Sequence, residues 1–305
     1  NLVLIGRRQA SERARETLKQ LENTGINLRI IQADVSNYRD MEAVFEQIAR
    51  MPMLKGIVHA AGVASDRPLE NTDLSEFDGV WSAKVTGAWI LHQLTQEMSL
   101  DFSVNFSSIA SVWGGKGQGV YAAANQFLDG LAHYRSSLGQ PTWSINWGPW
   151  AGENMADAKF KTKLSRLGIT PLSPATGIRA LKALLSTNLI QATVARIDWH
   201  LFQDIYQSRR ARLLFEQIAP ATTTKPTSRS QSSGVLLHQL KQTPKRELFT
   251  QIKTYLQIKL AKILKLKPAA IEPQQGFFEL GLDSLMVVEL KNCLDRDFET
   301  IFPQV

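Results

Sequence analysis

Residues 1–35 read NLVLIGRRQASERARETLKQLENTGINLRIIQADV. Leu2–Ile5 is a short aliphatic run closed by Gly6-Arg7-Arg8, Ser11–Thr24 has helical spacing, and Leu28–Gln32 is a second aliphatic run. Strand, helix and strand in that order predict a βαβ unit with its two strands parallel. The pattern then repeats. Further strands are expected at Gly56–His59, Asp101–Phe106, Thr142–Asn146 and Ala192–Ile197, with helices at Tyr38–Ala49, Phe77–Met98 and Val120–Leu138. This alternation implies an α/β fold with a doubly wound parallel sheet.

The chain has 305 residues, 44% hydrophobic and 21% charged, enough to bury a substantial core and to exclude disorder over its whole length. Its apolar runs are too short to span a bilayer, and no signal peptide is expected. The one cysteine, Cys293, excludes an intrachain disulfide framework and a multi-cysteine metal site. No metal is expected, and a reducing, cytoplasmic setting fits. Net charge is +7, unevenly spread: residues 219–270 hold ten Lys/Arg against one Glu, and residues 271–305 hold seven Asp/Glu against two Lys/Arg. No recognition motif accompanies the basic stretch, so neither nucleic acid nor membrane is expected as a partner. The basic helix at 245–265 reads as a solvated face or as a docking face for another domain.

Residues 221–234 hold no aliphatic side chain larger than alanine and read as a flexible linker. The expected organisation is an α/β domain over 1–218, a linker over 219–244 and a small all-α helical bundle over 245–305. In the bundle, Leu248, Ile252, Tyr255, Leu256, Leu260, Ile263 and Leu264 fall on one face of a helix spanning Glu247–Leu264, and a second helical pattern covers Met286–Asp295.

Doubly wound sheets bind ligands beyond the carboxyl ends of their strands. There, Arg7 reads as a phosphate contact or a solvated loop residue. Asp34, before Val35, reads as an acceptor for an adenine amino group or as a helix cap. His59-Ala60-Ala61-Gly62 offers small residues that let a flat cofactor approach the backbone. Phe106-Ser107-Ser108 closes another strand, and thirteen residues beyond Ser108 stands Tyr121, one helical turn before Asn125. A hydroxyl at a strand end can orient a carbonyl and a phenol can protonate it. A phenol, ordinarily near ~10, needs a cation to lower it, and Lys84 is the candidate. The plainer reading is a packed tyrosine and a solvated lysine.

Together with Lys84-Val-Thr-Gly87 and Trp147-Gly-Pro149-Trp150, these motifs resemble the ketoreductase domain of type I modular polyketide synthases, a branch of the short-chain dehydrogenase/reductase superfamily, over about residues 1–218. Most of that superfamily has a lysine four residues after the tyrosine. Here Asn125 stands there and Lys84 lies on the earlier helix, the exchange typical of synthase ketoreductases. The resemblance implies a Rossmann-like sheet and NADPH as cofactor. Tyr121 would donate the proton, Ser108 would hold the ketone oxygen, and Lys84 and Asn125 would support the tyrosine. Arg7 would meet the 2′-phosphate, with Asp34, Val35, Ala60, Ala61, Gly62, Pro149 and Trp150 around the rest of the cofactor. Ala151–Leu167 would form a lid, with Met155 near its mouth. Trp113, eight residues before the tyrosine, accompanies the L-hydroxy product in this family. Of the Leu-Asp-Asp of the D-producing group, only Asp66 stands here, in Ala64-Ser65-Asp66, so the L product is favoured. The family also has an earlier strand and glycine-rich turn not found in this sequence, so a fragment is expected.

Gly281-Leu-Asp-Ser284-Leu285, preceded by Phe277-Phe-Glu-Leu280, resembles the attachment motif of acyl and peptidyl carrier domains, over about residues 245–305. By spacing alone, Asp283-Ser284 equally reads as a helix cap. The resemblance implies 4′-phosphopantetheine on Ser284, placed by a phosphopantetheinyl transferase, and a carrier that stops short of its last helices. The combined expectation is NADPH-dependent reduction of a carrier-bound β-ketoacyl thioester, within a dimeric synthase that supplies the other domains. The alternatives are a non-reducing remnant beside a working carrier, and a free-standing alcohol dehydrogenase.

Overall fold

The computed structural model describes residues 1–152, 162, 164–207, 213–215, 217–218, 240, 242–264, 266–277, 279–282 and 284–298. The first βαβ unit forms as the sequence predicts. β1 (Leu2–Gly6) pairs in parallel with β2 (Leu28–Gln32), with Leu2 opposite Leu28 and Gly6 opposite Gln32. Between them, α1 (Glu12–Glu22) starts at Ser11, whose hydroxyl accepts the Ala14 N–H. α2 (Tyr38–Ile48) follows, capped by Asn37.

The second sheet carries the chemistry-bearing strands. β3 (Gly56–His59), β4 (Phe102–Ser108), β5 (Thr142–Trp147) and β7 (Gln191–Val194) are hydrogen-bonded in that order, all parallel. Before β7 comes β6 (Ile169–Thr170), and after it β8 (Arg196–Ile197); the run expected over Ala192–Ile197 is thus broken at Ala195. A parallel sheet with flanking helices is the Rossmann-like arrangement expected, here in two pieces. Among the described residues, the outer edge of β1 and that of β3 are unpaired. Both strands nonetheless rest on one cluster of Ala33, Met41, Val44, Phe45, Ile48 and Ile90, through Val3 and Ile57.

The helix expected over Phe77–Met98 is three segments: α3 (Leu74–Trp81), a π-helical turn at Ser82–Thr86, and α4 (Gly87–Thr95). A short α5 (Ile109–Trp113), which the sequence did not announce, precedes α6 (Gly119–Ser137). α7 (Pro174–Leu185) covers one face of the second sheet. There Val104, Ile145, Trp147 and Leu172 form a core with Phe106, Trp150, Leu181 and Leu184. The opposite face of β4 and β5 carries polar rows and meets α6.

The structure divides into two compact units, Asn1–Met155 with Pro171–Arg196, and Ala156–Thr170 with Ile197–Val305. The second holds α8 (Trp199–Tyr206), α9 (Lys245–Leu264) and α10 (Ser284–Phe298). Leu260, Ala261, Ile271, Leu282 and Leu290 form a small buried cluster in it; of the face expected on α9, Leu260 lies in this cluster and Ile263 and Leu264 pack against it. The Tyr255 hydroxyl donates to Asp297 at 2.5 Å and Lys259 pairs with the same carboxylate at 2.6 Å, tying α9 to α10. The linker expected over 221–234 lies outside the described residues. Among the described residues, no helix is long and apolar enough to cross a membrane.

One close approach is testable. A Cβ on Gly177 of α7 would fall 2.2 Å from the Trp150 ring. Gly177→Ala is therefore expected to lower the urea midpoint, corresponding to about 1–3 kcal/mol of overpacking strain.

Candidate active site

The parallel register sets Ser107 beside Asn146 and Ser108 beside Trp147, so the carboxyl ends of β3, β4 and β5 line up along one edge. Ser108 leaves β4 in extended conformation (φ −142°) and caps α5, its Oγ accepting the Ala110 N–H at 3.2 Å. That cap uses the oxygen as an acceptor and leaves the hydroxyl proton to donate. Gly114, at φ +78°, closes α5 in the left-handed region. α6 then carries Tyr121 and Asn125 one turn apart, as their spacing predicts. Asn125 is fully buried; its Nδ2 donates to the Tyr121 carbonyl at 2.7 Å, while its Oδ1 is buried without a hydrogen-bond partner.

Lys84 sits in the π-helical turn, a helix irregularity frequent at functional sites. It is only 4% exposed. Its Nζ donates to the Phe106 carbonyl at 2.9 Å and lies 5.5 Å from the centre of the Tyr121 ring. Burial lowers the Lys84 ammonium to about 8, against the pull of the Asp129 carboxylate. Burial also pushes the Tyr121 phenol above its ordinary value, and hydrogen bonding to Ser108 and Asn125 works in the opposite direction. The Lys84 ammonium donates its hydrogen bond to the Phe106 carbonyl, and the hydrogen bonds that favour the phenolate come from Ser108 and Asn125.

His59 is buried at the end of β3 and is lowered to about 4, first by burial and then by the Lys84 charge, so it is neutral at physiological pH. Ala60, Ala61 and Gly62 follow it, exposed. Gly62 has a use that the sequence did not disclose: a Cβ there would stand 2.7 Å from Lys84 Cε. The small residue makes room for the lysine.

Arg7, Asp34 and Val35 lie at the ends of the β1–β2 pair. Arg7 is exposed, and its carbonyl accepts from Gln32 Nε2. Burial raises the Asp34 carboxyl, but the Ser36 hydroxyl and N–H, with Arg7, overcome this and hold it below the ordinary range. Asp34 does not cap α2; Asn37 does. Val35 packs against Gly87, where a Cβ would lie 2.8 Å from Val35 Cγ1. Beyond β5, the Pro149 carbonyl accepts from Leu172 N–H, and Trp150 packs against Trp147 with ring centres 4.8 Å apart.

Asp66 is exposed, and the loop after Trp113 runs against it. Gly117, at φ +77°, would place a Cβ 2.8 Å from Asp66 Oδ1. Trp113, half-buried, ends α5. Met155 lies outside the described residues, as does much of the expected lid. Ser284 opens α10, after Gly281 at φ +87° and the buried Leu282; Asp283 lies outside the described residues.

Sequence reasoning passed over a second group. Ser107, Ser111, Asp129, Ser144 and Asn146 form a buried hydrogen-bonded cluster under Ser108 and Asn125. The signal was present, because polar residues alternate at 103, 105 and 107 and again at 142, 144 and 146 inside otherwise apolar strands.

Comparison with known proteins settles the family. Residues 1–152 match the KR domain model, and residues 254–305 match the model of the phosphopantetheine attachment site. The chain joins a ketoreductase domain to a carrier domain. It is 34% identical over 301 residues to erythronolide synthase EryA3 of Saccharopolyspora erythraea, and 31% identical over 310 residues to the pikromycin polyketide synthase component PikAIII of Streptomyces venezuelae. These alignments cover 97% and 96% of this chain, but only 9% and 20% of the relatives. Among solved structures, the ketoreductase PlmKR1 from the first module of phoslactomycin biosynthesis in Streptomyces sp. HK803 superposes with a TM-score of 0.68 at 32% identity, covering 72% of this chain and 51% of that one. An A1-type ketoreductase superposes with a TM-score of 0.66 at 35% identity, covering 70% and 45%. A ketoreductase domain implies a nicotinamide cofactor, and the site fits one. The bare backbone at Ala60–Gly62 admits a flat ring system, and the orphaned Asn125 Oδ1 marks a buried acceptor facing no protein donor.

The buried Lys84 should be read directly in stability. Its folded value lies below the unfolded one, so the folded ketoreductase domain binds fewer protons between about 8 and 10.5, and stability rises with pH across that window. Lys84→Met is expected to stabilise the domain at pH 7 by up to about 3 kcal/mol. The gain over wild type should shrink as pH climbs through that window, as followed by chemical denaturation.

Proposed function

We propose that this chain reduces a β-ketoacyl thioester, held on its own class of carrier, to the β-hydroxyacyl form with NADPH, within a polyketide synthase module. The observation that carries this reading is the convergence of Ser108, Tyr121, Asn125 and Lys84 where β4 meets α5 and α6, on a chain that also bears a carrier domain. The nicotinamide cofactor supplies a hydride to the ketone carbon when bound. The Ser108 hydroxyl, its oxygen already engaged by the Ala110 N–H, donates to the ketone oxygen and orients it. The Tyr121 phenol is protonated at neutral pH and delivers its proton to the developing alkoxide. Lys84 stabilises the negative charge left on the phenol from below the ring, and Asn125 holds the first turn of α6 in place through the Tyr121 carbonyl.

Arg7, exposed at the end of β1, supports NADPH: a guanidinium there suits a 2′-phosphate, where NAD enzymes present a carboxylate to the ribose. Asp34 and Val35 would hold the adenine side, and Ala60, Ala61, Gly62, Pro149 and Trp150 the nicotinamide side. Met155 would stand at the substrate mouth. Trp113 supports the L-hydroxy product, with Asp66 as the opposing element on the same loop contact. Domain limits of 1–218, 219–244 and 245–305 suit this use. A linker of this composition would let a phosphopantetheine arm on Ser284 bring the substrate in at high effective concentration. The arm would be added by a phosphopantetheinyl transferase, and the remaining domains of a dimeric synthase would make and pass on the chain.

Two outcomes are expected in the synthase polypeptide that carries this chain. Tyr121→Phe should lower ketone reduction at least ~10²-fold while NADPH binding, followed by nicotinamide fluorescence, is retained; near-wild-type turnover would remove the phenol from the mechanism. Incubation with coenzyme A and a phosphopantetheinyl transferase should add one phosphopantetheine mass to wild type and none to Ser284→Ala. Modification persisting in that variant would place the arm elsewhere.

A further inference from the structure

α6 meets β4 and β5 through a buried carboxylate. Asp129 is fully buried. Its Oδ1 accepts from the Ser144 hydroxyl at 2.6 Å, and its Oδ2 lies 2.8 Å from both the Ser111 hydroxyl and Asn146 Nδ2. Asn146 Nδ2 also reaches Ser107 Oγ at 3.0 Å and Ser111 Oγ at 2.8 Å, and Gln191 donates to Asn146 Oδ1 at 3.1 Å. Two of these hydroxyls lead back to the reacting groups. Ser107 donates to the Asn125 carbonyl at 3.2 Å, and Ser111 Oγ lies 2.8 Å from the Ser108 carbonyl.

We propose that Asp129 is a positioning residue for ketone reduction: it locks Ser108 and Asn125 in mutual register through Ser111, Asn146 and Ser107. This rests on the functional reading above. Ser111 has one proton, shared between the Asp129 carboxylate and the Ser108 carbonyl; a carboxylate suits the post because it accepts that proton along with those of Ser144 and Asn146, where an asparagine would turn two of its own N–H groups into the cluster. The same carboxylate bears on the charge of Lys84. His59 faces it from β3, Tyr121 and Asp129 lie on α6, and β4 contributes only the Phe106 carbonyl. His59 and Tyr121 are neutral at pH 7, so among the described residues Asp129 is the anion opposing the burial of the ammonium.

The test compares wild type with Asp129→Asn in the synthase polypeptide. The kcat–pH profile is measured, and the Lys84 amine is titrated by NMR in protein labelled with 15N-lysine, assigned with Lys84→Arg. The expected result is a fall in kcat of about tenfold or more with KM little changed. The alkaline limb and the Lys84 midpoint should both move down by about half a pH unit or more. Wild-type kcat overturns the proposal, and so does a lower rate with neither the alkaline limb nor the Lys84 midpoint moved, which is what a purely structural role gives. If Asp129→Asn does not fold, Ser111→Ala and Asn146→Ala take its place. A loss in kcat at constant KM supports the positioning role, and wild-type kcat in both overturns it. An inactive wild type would count against the functional reading, whereas the Lys84 midpoint still reports on Asp129 alone.

Discussion

The buried Asp129 carboxylate is the interaction on which the arrangement of the site depends. Most sheets meet their helices through apolar surface, and the α7 side of this one does, with Val104, Ile145 and Trp147 in its core. The α6 side does not. There the parallel register pairs Ser103 with Thr142, Asn105 with Ser144 and Ser107 with Asn146, giving two polar rows buried away from solvent. An unpaired polar group in such a place costs about 1–3 kcal/mol, so the helix above must bring matching partners. Asp129 and the carbonyls of Asn125 and Leu128 provide them. An apolar contact tolerates sliding; a set of directional bonds admits one register. Tyr121 and Asn125 inherit that register.

The same enclosure sets the electrostatics. Lys84 is carried into the interior by a π-helical turn, finds the Phe106 carbonyl, and passes a glycine that leaves it room. Its burial disfavours the charged form, and so does the burial of Tyr121 for the phenolate. A lysine pulled toward 8 and a phenol pushed up both hold their neutral forms more readily than in water. The stability lost in burying the ammonium is the kind of strain that functional sites keep and the surrounding core offsets.

The carrier unit obeys simpler rules. A small buried cluster and the Tyr255–Asp297–Lys259 contact hold α9 to α10, and Ser284 stands at the start of a helix. In the proposed reading Ser284 carries the arm, and such a serine needs access more than preorganisation.

Much of this architecture is legible in local periodicity. The βαβ order, the one-turn spacing of Tyr121 and Asn125, and the inward face of α9 are properties of neighbours in the chain, and helix and strand geometry alone translate them into positions. What the chain could not state locally is what its distant parts do to each other. Whether Lys84 is solvated or buried depends on Phe106 and Gly62. Which residue caps α2 was decided for Asn37 over Asp34 by the Ser36 turn. The broken helix around Ser82–Thr86 answers to packing rather than propensity. The polar alternation in β4 and β5 was written in the sequence, but its meaning required a partner on another element. Spacing along the chain determined which chemical groups share a face; only the tertiary structure decided which of them lose water, and that loss is what shifts their proton affinities and fixes their roles.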